Sequence, residues 1–506
     1  MKMTKEEKYR LITQAKPGEL AELQDKVNRS VWRQNYHIQP PTGLLNDPNG
    51  FSYYQGEYHL FYQWFPLGTD HGMKYWYHTK SADLATWDSM GIGLEPGGPY
   101  DSHGAYSGSA IEKDGRLYLL YTGNTRDEAW NRHPFQCLAY MNESGFINKL
   151  GQPVISSVPP GYTDHFRDPK VWKSGDDYCC VIGAQRTDRT GSAVLYRSKD
   201  LLQWEFTGEI KTRLPRFGYM WECPDYFELD DSGVLLFCPQ GLEADEDRFN
   251  NIYQTGYVIG KPLNPLTLEF NHGPFEELDR GFDFYAAQTM LAPDGRRLLV
   301  GWMGLPDVDY PTDESGWSGC LTLPRQLTLR DGKLIQQPVP ELAKLRKAMH
   351  SAEITLNNET KRLNGFEGIS YELICEIANG DAAEVGLEFR AGGEEKTVLK
   401  YDGASNKLIL DRSLSGQVLG EINGNIRRCR MAAGKLKFHL FVDVSSVEVF
   451  VNDGEEVFTS RIFPDPGSTE IRLFSYGGSA EFRVLKWDIT SMEKGDESHV
   501  GKSANC

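Results

Sequence analysis

The stretch that decides the fold is 56-GEYHLFYQW-64, in which a turn glycine is followed by an apolar run dense in aromatic residues. The same plan returns four more times along the chain, and the five turn glycines lie 59, 60, 58 and 62 residues apart. A unit of roughly 60 residues has room for about four strands with their turns, which is the size of a propeller blade. The later copies begin at Gly115, Gly175, Gly233 and Gly295.

A second pair of segments supports this period. The stretches 81-SADLATW-87 and 198-SKDLLQW-204 match at serine, at Asp-Leu and at tryptophan, and they start 117 residues apart, which is two periods. The units are rich in β-branched and aromatic residues and lack helical periodicity. They predict a five-bladed β-propeller over residues 32–335. A β-sandwich with fortuitous glycine spacing is the alternative.

The flanking segments predict an extension and a second domain, within an all-β fold class. Residues 1–31 are polar with apolar residues at helical spacing, which indicates a short N-terminal helical extension. Residues 336–350 are predicted to form a linker with a short helix. From 351 to 490 the pattern alternates around an N-D-G turn, which predicts a C-terminal β-sandwich. Residues 491–506 are predicted to be a flexible tail.

The composition excludes some function classes. The net charge of −17 comes from 54 basic and 71 acidic residues, which argues against a nucleic-acid partner or an anionic membrane surface. No apolar run approaches the roughly 20 residues that span a bilayer. The first 20 residues lack the apolar region of a signal peptide, so we expect a cytoplasmic protein. A secreted protein whose signal was removed is the alternative, and the expected state is a monomer or a homodimer.

Cysteine and histidine patterns predict neither disulfides nor a metal site. The nine cysteines include no C-x-x-C pair, and most are expected to be reduced and buried. The 11 histidines show no metal-ligand spacing, and the motifs that bind nucleotide phosphates or dinucleotides are missing. We therefore predict that the protein needs no cofactor.

Acidic residues recur at one phase of the repeat. Asp47 lies nine residues before its turn glycine, Asp168 seven before, and Glu222 and Asp225 eleven and eight before theirs. Equivalent positions of a propeller lie on a ring around its axis. If this phase begins the innermost strand, the carboxylates converge on one end of the channel. Taken alone, each motif has an alternative structural explanation, such as a turn or a surface ion pair. Their shared phase in the repeat is what favours a functional site.

Converging carboxylates indicate glycoside chemistry. Clustered carboxylates repel one another, and burial raises the pKa of at least one of them. We expect Arg167 to hold the neighbouring Asp168 ionised. We expect Trp221 to shield Glu222 from water, which favours the protonated acid. Glycoside hydrolysis uses one ionised and one protonated carboxyl group. Aromatic side chains at the same rim suit the C–H faces of a sugar.

Five motifs together carry a resemblance to a known family. NDPNG, FYQWFP, YSGSA, RDPK and WECPD occur in this order. From about Trp32 to Arg325 the chain resembles glycoside hydrolase family 32, the β-fructofuranosidases. The segment VDVSSVEVFVNDG is similar to the C-terminal module of that family. The N-terminal extension and HIQPPTGLLNDPNG are most similar to bacterial members that act on sucrose or sucrose-6-phosphate.

The resemblance implies hydrolysis of the terminal β-D-fructofuranoside bond with retention, by double displacement. Asp47 would be the nucleophile, Glu222 the general acid and then the base, and Asp168 the stabiliser of the charged transition state. This role pair implies that the carboxyl groups of Asp47 and Glu222 lie roughly 5–5.5 Å apart. Six further residues match sugar-contacting positions of the family: Asn46, Gln63, Trp76, Tyr106, Ser107 and Arg167.

Some positions depart from the family pattern and leave the substrate open. Tyr75, Tyr77 and Tyr106 stand where histidine, glycine and another aromatic residue are common in the family. A fructan hydrolase or a fructosyltransferase is the alternative within the class, and a non-catalytic sugar-binding propeller is the alternative outside it. A phosphate-specific pocket would need a cluster of Lys and Arg on the glucose side. Lys74 is one candidate for such a pocket, and an ordinary solvated lysine is the alternative interpretation.

Overall fold

The computed structural model describes residues 3–419, 424–432 and 434–489. It confirms the predicted all-β fold class, with a five-bladed propeller followed by a curled β-sandwich. The eight cysteines of these residues are buried free thiols, as predicted. No helix in the described ranges is long and apolar enough to cross a membrane. The predicted flexible tail, residues 491–506, lies outside the described residues.

The predicted helical extension is present and is attached to the first blade. Its segments are α1 (Lys5–Lys8), a 3₁₀ turn (Ile12–Gln14) and α2 (Glu19–Asn28). The backbone N–H of Met73 donates a 2.7 Å hydrogen bond to the carbonyl of Lys8. The backbone N–H of Ile12 donates to the hydroxyl of Tyr75 at 2.8 Å. The extension therefore covers a loop of blade 1 next to the channel.

The first four blades are antiparallel sheets of consecutive strands. Blade 1 consists of β1 (Gly43–Tyr54), β2 (Glu57–Phe65), β3 (Tyr75–Ser81) and β4 (Asp88–Leu94). Blade 2 consists of β5 (Ala105–Lys113), β6 (Arg116–Arg126), β7 (Arg132–Met141) and β8 (Ile147–Lys149). Blade 3 consists of β9 (Tyr162–Ser174), β10 (Asp177–Arg186), β11 (Gly191–Ser198) and β12 (Glu205–Glu209). Blade 4 consists of β13 (Met220–Leu229), β14 (Ser232–Gln240), β15 (Gly256–Gly260) and β16 (Glu276–Glu277).

The fifth blade closes the ring. Its chain forms β17 (Tyr285–Leu291), β18 (Arg297–Met303), a 3₁₀ turn (Pro311–Ser315), β19 (Trp317–Ser318), β20 (Cys320–Leu321), β21 (Arg325–Arg330) and β22 (Lys333–Pro338). Strand β19 pairs in parallel with β1 and so joins the last blade to the first. The innermost strands β1, β5, β9, β13 and β17 contact one another in a ring, which places the start of each strand around one channel.

The C-terminal domain is a single hydrogen-bonded sheet that curls over its own core. Within the described residues, its ten strands are β23 (Arg346–Arg362), β24 (Tyr371–Asn379), β25 (Glu384–Gly392), β26 (Glu395–Asp402), β27 (Lys407–Leu414), β28 (Ile426–Arg430), β29 (Leu436–Asp443), β30 (Ser446–Val451), β31 (Glu456–Arg461) and β32 (Glu470–Ile489). The first half of β32 pairs with β25 and its second half with β24, so one strand connects the two layers.

The strands place the domain boundary differently from the predicted linker at 336–350. Strand β22 runs to Pro338, because it pairs residue by residue with β21. The first sandwich strand already begins at Arg346, which pairs with Ile489. The connection is therefore the 3₁₀ turn Pro340–Leu345 alone, and the propeller leads almost directly into the sandwich.

Buried charges join the two domains. The Arg325 guanidinium lies 2.6 Å from the Glu448 carboxylate and 3.1 Å from that of Asp279, and all three side chains are fully buried. The His37 ring bridges Asp443 and Glu448, at 2.8 and 3.0 Å. Because buried charges are costly unless they are paired, this network favours one fixed arrangement of propeller and sandwich.

Candidate active site

A β-bulge interrupts each innermost strand at the same place, where the strand leaves the channel mouth. A bulge re-aims side chains and bends the strand. The unpaired residues of the five bulges are Asp47, Tyr106–Ser107, Asp168–Pro169, Cys223–Pro224 and Ala286–Ala287. Asp168, Cys223 and Ala286 have positive φ angles of 68°, 47° and 52°, a strained conformation for residues with a Cβ. Three of the five bulges at this end of the channel therefore contain a strained residue.

The acidic residues that share one phase of the repeat differ in their position relative to the bulges. Asp47 and Asp168 lie within their bulges, whereas Glu222 directly precedes its own. Asp225 lies beyond the bulge, and its carboxylate pairs with Lys170 at 2.9 Å. Asp225 therefore belongs to the channel interior, and three carboxylates remain at the mouth.

Three predicted sugar-contacting residues hold the carboxylate of Asp47. Its Oδ2 accepts hydrogen bonds from Ser107 Oγ at 2.6 Å and from Gln63 Nε2 at 3.2 Å. Its Oδ1 accepts from Asn46 Nδ2 at 3.0 Å. Burial raises the pKa of Asp47, although the hydrogen bonds from Ser107 and Asn46 oppose this shift. The group is thus held by three donors in a fixed orientation.

Lys74 is buried beneath the Asp47 carboxylate, so the alternative interpretation of it as a solvated lysine is wrong. It is 2% exposed, and its Nζ donates to Asn46 Oδ1 at 2.6 Å. Burial lowers the pKa of Lys74 to about 7, against the attraction of Asp47. Because an ammonium group can only donate, Lys74 fixes the Asn46 amide with its NH₂ towards Asp47. Lys74 therefore orients Asn46, a role that the sequence pattern did not indicate.

Glu222 receives hydrogen bonds on both carboxylate oxygens. Its Oε1 accepts from Arg167 Nε at 2.9 Å and from Nη2 at 2.6 Å. Its Oε2 accepts from the Tyr285 hydroxyl at 2.6 Å and from Gln240 Nε2 at 2.8 Å. Burial raises the pKa of Glu222, but Arg167 and these hydrogen bonds outweigh burial and lower it below its usual value.

Two expectations about the carboxylates need correction. Arg167 was expected to hold Asp168 ionised; its charge does lower the pKa of Asp168, but its guanidinium hydrogen-bonds Glu222, and burial still raises the pKa of Asp168 overall. Trp221 was expected to dry the surroundings of Glu222. Its fully buried indole instead stacks on Phe237, with ring centroids 4.2 Å apart, inside the blade.

The carboxylate of Asp168 has fewer donors. Its Oδ2 accepts from the backbone N–H of Cys223 at 2.9 Å. The Cys223 Sγ lies 3.8 Å from this oxygen and 3.9 Å from Asp47 Oδ2, so the thiol bridges two carboxylates. Burial raises the pKa of Asp168 to about 7; Arg167 opposes this shift, while the charges of Glu222 and Asp47 add to it. The structure thus brings the three predicted carboxylates into one cluster.

Trp76 and Tyr106 differ in their access to the channel. The Trp76 indole is fully buried and donates its N–H to the Tyr106 carbonyl at 3.0 Å, which contradicts the expected direct contact with sugar. Tyr106 is partly exposed at the channel mouth. Trp76 therefore supports the strand that carries Tyr106 and Ser107.

Comparison with known proteins agrees with this geometry. The N-terminal domain model of glycosyl hydrolases family 32 matches residues 37–338, and the C-terminal model of the family matches residues 341–491. A sucrose-6-phosphate hydrolase of Staphylococcus xylosus is 47% identical over 97% of this chain and 99% of its own. The enzyme of the same name from Bacillus subtilis is 43% identical over 92% of this chain and 95% of its own.

Solved structures show the same architecture. A sucrose-6-phosphate hydrolase from Lactobacillus gasseri superposes with a TM-score of 0.91 and 37% identity, over 97% of this chain and 100% of that one. A mutant GH32 beta-fructofuranosidase from Bombyx mori in complex with sucrose gives a TM-score of 0.82 and 35% identity, over 94% and 97% of the two chains. The motifs, the carboxylate cluster and these matches lead to one conclusion: this chain belongs to glycosyl hydrolases family 32.

Proposed function

We propose that this protein hydrolyses the β-fructofuranosyl bond of sucrose or of a phosphorylated sucrose, with retention of configuration. The observation that carries the proposal is the cluster of Asp47, Asp168 and Glu222 at one end of the propeller channel, each with its own set of hydrogen-bond donors. The names of the relatives, and the sucrose held by the Bombyx mori enzyme, support this class of substrate.

The first step would be attack by Asp47 on the anomeric carbon of the fructosyl group. Hydrogen bonds from Ser107, Gln63 and Asn46 fix both carboxylate oxygens, so little reorganisation is needed before bond formation. The bond to the leaving oxygen breaks as the covalent fructosyl-enzyme forms. A retaining mechanism requires the second carboxyl group, that of Glu222, to lie roughly 5–5.5 Å away.

The proton for the leaving oxygen would come from Glu222. In the free protein the pKa of Asp168 is raised to about 7 and that of Glu222 is lowered, which favours a shared proton on the aspartate. Fructosyl hydroxyls that donate to Asp168 would favour its ionised form and lower its pKa. The proton then becomes available to Glu222. After transfer, Arg167 and Tyr285 stabilise Glu222 as the carboxylate base that activates water.

Two isosteric variants test this assignment. We expect Glu222→Gln to lower kcat for fructose release by at least about 100-fold, the usual size of general acid–base catalysis. Asp47→Asn should lose more, because no covalent intermediate can form. Asp114→Asn, at an exposed hairpin turn of blade 2, is the matched control and should keep its activity. Wild-type rates in Asp47→Asn or Glu222→Gln, with an unchanged unfolding midpoint, would refute the roles.

A further inference from the structure

Two arginines face each other at the channel mouth without an acidic partner. Arg126 ends β6 and Arg132 begins β7, and the two residues are directly opposite in the antiparallel ladder. Like charges directly opposite destabilise a strand pair. Neither guanidinium forms an ion pair with any carboxylate in the described part of the chain, although the net charge of the protein is −17.

The acidic side chain that follows Arg126 in the sequence, that of Asp127, is already engaged. The Asp127 carboxylate accepts from the Asn131 backbone at 2.7 Å and side chain at 2.9 Å, and from His133 Nε2 at 3.2 Å. Arg126 uses Nη1 for the Trp130 carbonyl at 3.3 Å, and its Nε is buried without a hydrogen-bond partner. The pair therefore offers unneutralised charge and free donors, which an anion would satisfy.

The pair lies beside the leaving-group side of the carboxylate cluster. The guanidinium carbon of Arg132 is 5.9 Å from the centroid of the Tyr106 ring, the partly exposed aromatic at the mouth. Burial lowers the pKa of Arg132, and the neighbouring cation Arg167 lowers it further. Arg167 is itself bonded to Glu222, the proposed proton donor to the leaving oxygen. A group attached to the departing glucosyl unit is therefore the part of the substrate that this pair can reach.

The N-terminal extension supplies the opposite wall of this subsite. The Tyr9 ring packs against His103 and Trp130, with centroids 5.3 and 5.4 Å away. Lys5 Nζ lies 4.4 Å from the centroid of the Trp130 ring and adds a third cation. Burial raises the pKa of Tyr9, so it stays a neutral phenol. Aromatic rings next to cations suit a phosphorylated sugar, whose ring is apolar on its C–H faces and whose phosphate is dianionic.

We propose that Arg126 and Arg132 bind the phosphate of a sucrose ester phosphorylated on its glucosyl unit, and so select this ester over free sucrose. The proposal rests on the fructoside hydrolysis proposed above. Guanidinium groups match phosphate oxygens in bidentate geometry, and a dianion between the two arginines offsets their mutual repulsion. The fructosyl unit would occupy the buried pocket of Asp47 and Asp168, with the phosphate at the hairpin between β6 and β7.

The test compares kcat/KM for sucrose-6-phosphate and sucrose in the full-length protein. We expect Arg126→Gln and Arg132→Gln each to lower the ratio of the two values by about 10- to 100-fold, the range for a charge-assisted hydrogen bond. Arg132→Lys should recover part of the loss, because it keeps the charge without the bidentate geometry. Arg116→Gln is the matched control: Arg116 begins β6 and packs on the Tyr140 ring at 4.7 Å, at the far end of the strand. Its ratio should equal that of the wild type.

A second measurement uses inorganic phosphate at constant ionic strength. Phosphate should inhibit sucrose hydrolysis competitively, with an inhibition constant at least about tenfold weaker in the Arg126→Gln/Arg132→Gln double variant. Equal losses on both substrates, an unchanged ratio, or equal inhibition of wild type and double variant would overturn the phosphate subsite and leave the hydrolase assignment standing. A wild-type protein that releases fructose from neither substrate would instead overturn the proposed function.

Discussion

Glu222 accepts four hydrogen bonds from side chains, while Asp168 accepts one from the backbone and contacts the thiol of Cys223. Hydrogen bonds to a carboxylate favour its ionised form, and burial without them favours the protonated form. Burial raises the pKa of both groups; the charge of Arg167 and these hydrogen bonds outweigh burial at Glu222, whereas at Asp168, where the charges of Glu222 and Asp47 add to burial, the pKa is raised to about 7. The donors, more than the carboxylates themselves, decide where the proton rests.

The Tyr285 hydroxyl offers a direct test of this reasoning at a single residue. Tyr285→Phe removes a 2.6 Å hydrogen bond to Glu222 Oε2, so the pKa of Glu222 should rise. A charged hydrogen bond of about 1.5 kcal/mol corresponds to about one pH unit. The limb of the pH profile of kcat/KM that reports the general acid should therefore move to higher pH by about that amount. Tyr253→Phe is the control, because the Tyr253 ring lies 6.1 Å from that of Tyr285 and its hydroxyl bonds Tyr219. A limb at unchanged pH in Tyr285→Phe would exclude this role.

Sequence reasoning could find the carboxylates but not the groups that tune them. The carboxylates lie in short motifs that can be recognised by residue type and spacing: those of Asp47, Asp168 and Glu222. Tyr285 occupies the position before the fifth bulge, as Glu222 does before the fourth, so the repeat did contain a signal for it. Gln240 reaches the site from a second strand, and no such pattern marks it.

At the level of strands, the repeat was predictable because its hairpin turns need special backbone conformations. Gly56, Gly115, Gly175 and Gly295 have φ angles of 86°, 75°, 60° and 84°, in the left-handed region that glycine adopts without strain. In blade 4, Gly233 lies within β14, and Asp230, with φ 52°, stands in the turn. The period therefore held even where the glycine itself was not the turn residue.

The bulges were not predicted, since register depends on how two strands pair. One signal was present: Asp47, Asp168 and Cys223 are each followed by proline, which lacks the N–H that a regular ladder needs. Pro169 and Pro224 are themselves unpaired bulge residues, and Pro48 directly follows the bulge of blade 1.

Asn49 connects the bulges of the first two blades and should be essential for both. Its Nδ2 donates to the Asp47 carbonyl at 2.8 Å, and its Oδ1 accepts from the Gly108 backbone at 2.9 Å. Asn49→Ala would leave two buried backbone groups unsatisfied, at a cost of about 2–4 kcal/mol. We expect a lower unfolding midpoint and at least a tenfold loss of kcat. Thr79→Val removes one buried hydroxyl bond to Leu60 in the same blade, and it should lower the midpoint while kcat is retained. Equal kcat values in the two variants would contradict the connection between this bulge and catalysis.

At the scale of the whole molecule, the two domains are joined by charges that lie far apart in the sequence. His37 and Asp443 are separated by 406 positions, and both are buried. The hydrophobic pattern predicts each domain separately, because it reports which face of a strand is covered. It carries no information about which charged residues meet across an interface. The fixed orientation of propeller and sandwich therefore becomes visible only in the structure.

His37 should make the stability of this interface depend on pH. Burial disfavours its imidazolium form, but the hydrogen bonds to Asp443 and Glu448 outweigh burial and raise the pKa of His37 from 6.5 to about 9. Because the folded-state pKa lies above the unfolded value, the stabilisation is fully present below about pH 6.5 and is lost as the pH rises through about 9. A shift of this size corresponds to about 3 kcal/mol.

We expect the free energy of unfolding, measured by denaturant titration, to fall more steeply from pH 6.5 to 9.5 in the wild type than in His37→Gln, which has no proton to lose. His133→Gln, on an exposed hairpin, should keep the wild-type slope. Parallel curves for wild type and His37→Gln would show that this histidine is not the titrating group of the interface.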